Sequence, residues 1–248
     1  MPNRNISCNR MMRACGAALA TLALTMVAQS FMSTTASALS IDYRHEYVDV
    51  DQANKGRVMI SDRLKNGIGY SVETKMKSGG HTSDRPFSEL ESNGAEFSLT
   101  YQYKVLPNFS IQPGMNLEVG SGQAIYKPSF RVQYNFDNGI YVAARYRYEF
   151  KNKNGSDTKE DGPDEHVNRL EGWLGYKTGD WTFESNYIWR SSNQIRFNNT
   201  KQDYEYDFKV AYNVTPNWQP FVQIGNIKVD STTDDRQTRF RVGLKYSY

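Results

Sequence analysis

"YVAARYRYEF", residues 141–150, carries two patterns at once. With the preceding Ile140, one set of alternate positions is Ile140, Val142, Ala144, Tyr146, Tyr148 and Phe150, all apolar or aromatic. The other set holds Ala143, Arg145, Arg147 and Glu149. In an extended chain the two sets point to opposite faces. Large rings on one face and charges on the other fit a strand with lipid outside and water inside.

The same alternation recurs along the chain in stretches of about ten residues, with no helical periodicity. It predicts twelve strands at 39–49, 56–64, 68–77, 94–105, 109–119, 125–136, 140–150, 166–177, 181–190, 201–214, 218–228 and 237–248. Outward rows include Phe97, Leu99, Tyr101 and Tyr103, then Tyr204, Tyr206, Phe208 and Val210, and finally Phe240, Val242, Leu244 and Tyr246. Trp181, Trp189, Trp218 and Tyr248 fall near strand ends, where membrane girdles sit.

The connections alternate in length. Lys65-Asn66-Gly67, Pro107-Asn108, Asp137-Asn138-Gly139, Thr178-Gly179-Asp180 and Pro216-Asn217 read as tight turns. Longer polar stretches fall at 50–55, 78–93, 120–124, 151–165, 191–200 and 229–236. Short turns on one rim and long loops on the other describe an even-stranded, antiparallel up-and-down barrel with periplasmic turns and extracellular loops. The expected fold is therefore an all-β transmembrane barrel of twelve strands over residues 39–248. A soluble sandwich also alternates, but it does not account for the loop order and the leader together.

That leader is residues 1–38. Arg4, Arg10 and Arg13 precede an apolar run over 14–28, and "ASA" at 36–38 ends in small residues. This reads as a cleaved secretory signal peptide, with the run too short for a spanning helix. Both cysteines, Cys8 and Cys15, lie within it, so the barrel carries no thiol chemistry. The leader also holds three of the 30 basic residues and none of the 27 acidic ones, which leaves the remainder balanced. Nucleic-acid binding has no electrostatic footing in a balanced chain.

Residues alternating with the apolar rows face the lumen, and unpaired charges there require water. Lys127, Arg131, Arg145 and Arg147 fall on the sixth and seventh strands, whereas Arg239 and Arg241 fall on the last and Arg44 on the first. In a ring of twelve these groups oppose each other, forming two basic walls, with Arg169 and Arg190 further lumen cations on the eighth and ninth strands. Arginine's permanent charge and planar fork match carboxylates. Two such walls form a track for an anionic oligosaccharide, held by many weak contacts. Each arginine singly could instead pair with Glu118, Glu149, Glu171 or Glu184 and brace the barrel; the opposed grouping favours the channel.

Enzyme signals are thin. His45, His81 and His166 lack metal-ligand spacing and sit in no Ser/His/Asn pattern of the kind an outer-membrane phospholipase needs. The acidic stretch 156–165 lacks the spacing of a calcium loop and reads as a solvated surface loop. No catalysis, cofactor or metal is expected.

Several stretches resemble the KdgM family of oligogalacturonate-specific porins. They are "SIDYRHEY" (40–47), "SNGAEF" (92–97), "FSIQPGMNLEVGSG" (109–122), "YKPSFRVQY" (126–134), "ARYRY" (144–148), "NWQPFVQIGN" (217–226) and "TTDDRQTRFRVGLKYSY" (232–248). The resemblance implies a monomeric twelve-stranded barrel in the outer membrane of a Gram-negative bacterium, passing acidic oligosaccharides, notably pectin-derived oligogalacturonates, along basic tracks. It implies lumen-facing roles for Arg131, Arg145, Arg147, Arg239 and Arg241, with Lys127 standing where an arginine is also familiar. A sialic-acid channel belongs to the same family. The setting implies contact with outer-membrane lipid and lipopolysaccharide, and handling by the barrel-assembly machinery, which the terminal Tyr248 suits.

Overall fold

The structure is a computed structural model that describes residues 39–80, 83–120, 122–153 and 164–248. The leader, both cysteines, His81 and most of the acidic 156–165 stretch lie outside the described residues.

Thirteen strands form one antiparallel sheet. They are β1 (Ser40–Val48), β2 (Ala53–Arg63), β3 (Ile68–Ser78), β4 (Leu90–Tyr101), β5 (Tyr103–Leu106), β6 (Phe109–Gly120) and β7 (Gln123–Asn135), followed by β8 (Ile140–Lys153), β9 (Glu165–Thr178), β10 (Trp181–Ser192), β11 (Gln202–Tyr212), β12 (Trp218–Lys228) and β13 (Arg236–Ser247). Sequence neighbours pair throughout except β4 and β5, which both pair with β6, and the pairings of β1 with β13 and β4 with β6 close the ring. Among the described residues only the short rim strand β5 keeps an unpaired side; elsewhere the ladder is continuous, as a membrane barrel requires.

β4 and β5 together occupy the fourth of twelve positions. The expected strand 94–105 is interrupted at Gln102, and the cause is local. β3 ends opposite Tyr101, so Gln102 has no strand partner on that side. Its N–H instead donates to the Gly67 carbonyl of the adjacent turn, at 2.9 Å, while β5 continues against β6 alone. The two Asn-Gly turns are built alike. The Asn66 side chain accepts from Ile68 N and Asn138 from Ile140 N, each at 3.1 Å, and Gly67 and Gly139 hold φ of 93° and 85°. Only glycine enters that region without strain.

The expected longer loop at 120–124 is corrected. Gly120 pairs directly with Gln123, so that only two positions separate β6 from β7, and Gly122 supplies a φ of 72°. The alternation of short and long connections fails here and at the expected 50–55 loop, where β1 ends at Val48 and β2 begins at Ala53, leaving four residues, as many as between β2 and β3.

Burial is inverted relative to a water-soluble sheet. Leu99, Leu174, Val222 and Val242 are more than half exposed, whereas Lys127, Arg147, Glu171, Asp203 and Asp207 are buried. A sandwich would hide the first set and hydrate the second. Along β8 the outward Val142, Ala144 and Tyr146 are exposed, and the inward Tyr141, Ala143, Arg147 and Glu149 are buried. Trp181 packs on Tyr212 and Trp218 on Tyr246, each with ring centroids 4.7 Å apart, forming a girdle at the short-turn rim.

Candidate functional site

The inward side chains enclose a cavity of about 860 Å³ in the barrel lumen. All nine sequence-predicted residues line it: Arg44, Lys127, Arg131, Arg145, Arg147, Arg169, Arg190, Arg239 and Arg241. The lining holds thirteen basic and eight acidic side chains, a positive excess of five. Glu46, Glu149 and Asp203, which pair with lining arginines from just outside the cavity, bring the balance of the inner wall closer to neutral.

Ring order sets the walls opposite one another. Between β7/β8 and β13/β1 four strand positions intervene on either side. The β7/β8 wall extends further around the ring than the sequence suggested. Arg131 is opposite Arg145 in the ladder, and Arg147, Arg169 and Arg190 are successive cross-strand neighbours on β8, β9 and β10.

Like charges directly opposite repel, and carboxylates from neighbouring strands offset most of them. Arg169 binds Glu171 at 2.5 Å and approaches Glu149 at 3.4 Å. Arg145 binds the other oxygen of Glu171, whose side chain is only 1% exposed. Arg147 lies 4.0 Å from Glu149. Arg190 binds Glu205 at 2.7 Å and lies 3.5 Å from Asp203. On the opposite wall Arg239 donates to both oxygens of Asp207 at 2.8 and 2.7 Å, while Arg241 donates to Glu46 at 2.7 Å. Lys127 is held by Glu96 and Glu118.

Two of the nine stand apart. Among the described residues, no carboxylate oxygen comes within 4.0 Å of Arg44 or Arg131. Arg44 sits beside Arg57 in the β1–β2 ladder. Arg131 donates to Gln133 at 2.9 Å and stacks over the Trp173 ring, 4.8 Å from its centroid. These free forks lie on opposed walls, one on β1 and one on β7.

Sequence reasoning missed several lining residues, among them Arg57, Trp173 and Phe221. Arg57 pairs with Asp42 at 2.5 Å and Glu73 at 3.1 Å. Its phase was obscured because Val58, Met59 and Ile60 are apolar on both faces. Trp173 and Phe221 are inward aromatics in phase with the polar Glu171 on β9 and Gln219 and Gln223 on β12; that phase was the available signal. Of the histidines, His45 Nε2 donates to Asn54 Oδ1 at 3.1 Å, and His166 bonds the Tyr148 hydroxyl at 2.8 Å. Neither lines the lumen cavity. Among the described residues no group of three or more potential metal ligands converges.

The arrangement sets thirteen basic side chains around one lumen cavity, most of them paired with carboxylates. Comparisons with known proteins agree in kind. A family model described as "Oligogalacturonate-specific porin protein (KdgM)" matches residues 32–248. The "Uncharacterized protein YiiY" of Salmonella typhimurium is 41% identical over 217 residues, covering 87% of this chain and 92% of that protein. The "Oligogalacturonate-specific porin KdgM" of Dickeya dadantii is 40% identical over 232 residues, covering 91% and 98%. The solved structure of the KdgM porin in complex with disordered oligogalacturonate aligns with a TM-score of 0.63 at 32% identity, covering 84% of this chain and 99% of that one.

Proposed function

The chain belongs to the KdgM family of oligogalacturonate-specific porins, and on that premise we propose that it passes acidic oligosaccharides, oligogalacturonates first among them, by passive diffusion across the outer membrane. The observation that carries this reading is the pair of carboxylate-free guanidiniums, Arg44 and Arg131, on opposed walls of a cavity lined by more basic than acidic side chains. A polyuronide bears a carboxylate on every sugar. It can exchange the ion pairs of the wall one at a time, so that no single site holds it for long. The free forks are where the first exchange costs least, because no existing pair has to be broken.

In this reading the barrel is monomeric, carries out no chemistry and needs no cofactor. Residues 1–38 are removed on export, the assembly machinery inserts the remainder, and the exposed apolar belt meets lipid and lipopolysaccharide.

Planar-bilayer recording tests it. In a KCl gradient the reversal potential should report anion preference, and micromolar to millimolar trigalacturonate should block or modulate the current. Cation preference, or indifference to trigalacturonate, would remove the substrate assignment. Stronger modulation by sialic acid than by trigalacturonate would redirect it to that sugar.

A further inference from the structure

Four tryptophans occur in the chain, and three of them, Trp181, Trp189 and Trp218, lie on the outward face with the apolar rows. Trp173 alone lines the lumen. In the ladder its cross-strand partner is Ala143, and that of Ala143 on β7 is Gln133. A methyl group between β9 and β7 leaves an indole room to lean across. It does so: the Arg131 guanidinium lies 4.8 Å and that of Arg145 5.2 Å from the Trp173 ring centroid.

Arg131 and Arg145 face each other directly across two strands, a placement that is repulsive by itself. Glu171 serves Arg145 but not Arg131. Arg131 donates to the Gln133 amide oxygen at 2.9 Å, and the remaining compensation is the quadrupole of the indole, which attracts a cation over its face and, unlike a carboxylate, occupies none of the guanidinium N–H groups.

We propose that Trp173 is a specificity-determining positioning residue: its ring holds the Arg131 and Arg145 forks side by side as a two-pronged subsite for one carboxylate. The inference rests on the anion-channel reading above and adds to it the place where a carboxylate pauses. It also separates affinity from charge. Replacing Trp173 changes no lumen charge, so the ion preference of the pore should persist while capture of carboxylates weakens.

The test measures half-blocking concentrations in bilayers for trigalacturonate and for tricarballylate, a carboxylate without a sugar. Trp173→Leu and Trp173→Gln should raise both values roughly five- to tenfold, the span of one well-placed cation–π contact. The K⁺/Cl⁻ permeability ratio should stay that of the parent protein. Trp173→Phe, which keeps a ring, should lie within about threefold of the parent. Unchanged half-blocking values in both Leu and Gln variants would overturn the proposal. So would a permeability ratio altered as much as by Arg131→Gln, or failure of the parent protein to respond to either probe. If tricarballylate blocks the parent and trigalacturonate does not, the sugar assignment fails, and the variants tested with tricarballylate still decide the role of Trp173.

Discussion

Glu171 illustrates how a single lumen residue is held in place. Its carboxylate is buried between Arg145 and Arg169, which take one oxygen each. Removing a buried partner strands the other charges, and that costs more than the pair itself contributes. Glu171→Gln should therefore destabilise the barrel by about 1–3 kcal/mol, measured as urea-induced unfolding from vesicles. It should also shift the reversal potential further towards anions, because one negative charge leaves the pore wall. Loss of anion preference in this variant would mean that Glu171 does not oppose the arginines electrostatically. Its neighbour Arg131 has the reverse character: no carboxylate among the described residues holds it, and an aromatic ring does instead. Arg147 has Glu149 two residues on in its own strand, but nothing in the local sequence separates Arg145 from Arg131. Their different states come from what neighbouring strands bring.

At the level of the element, β8 is the clearest case. Its outward side chains meet lipid and its inward ones meet water, so equal-sized changes on the two faces should have unequal consequences. Val142→Arg puts a charge on the lipid face and should cost roughly 2–4 kcal/mol if the position lies near mid-membrane, visible as reduced insertion and loss of heat-modifiable migration on gels. Arg145→Ser with Arg147→Ser should leave insertion largely intact and lower anion preference, since lumen positions accept polar exchange. Comparable insertion defects from both would show the faces to be reversed. The strand pattern was legible because period-two alternation is a local property. The break at Gln102 was not, since it depends on where β3 ends and on a carbonyl presented by the turn at Gly67. The shortening of the 120–124 connection was hidden for a similar reason: the pairing of Gly120 with Gln123 is set by the register of β6 and β7.

At the whole-molecule scale, two kinds of basic residue share one lumen. Arg239 is locked by Asp207 and Glu205; Arg44 and Arg131 are not locked. Removing two positive charges from the free set or one from the locked set should therefore differ in kind. Arg44→Gln combined with Arg131→Gln should weaken trigalacturonate block while leaving unfolding within about 0.5 kcal/mol of the parent. Arg239→Gln leaves two carboxylates uncompensated and should cost about 1–3 kcal/mol as well as lowering anion preference. Equal stability losses in the two variants would mean that the free arginines also brace the wall.

The sequence by itself determined the barrel, its twelve positions around the ring, the lipid-facing side of most strands, and the identity of nine lumen cations. All of these follow from alternation and turn chemistry that operate within a dozen residues. Only the tertiary structure decided which of those cations are free. Arg241 finds Glu46 across 195 residues of sequence, and Arg239 finds Asp207 across 32. Such pairs exist because ring closure and register place distant strands side by side. A charge in the sequence has a position along the chain, but its partner, and so its availability to a passing anion, is fixed only when the sheet closes.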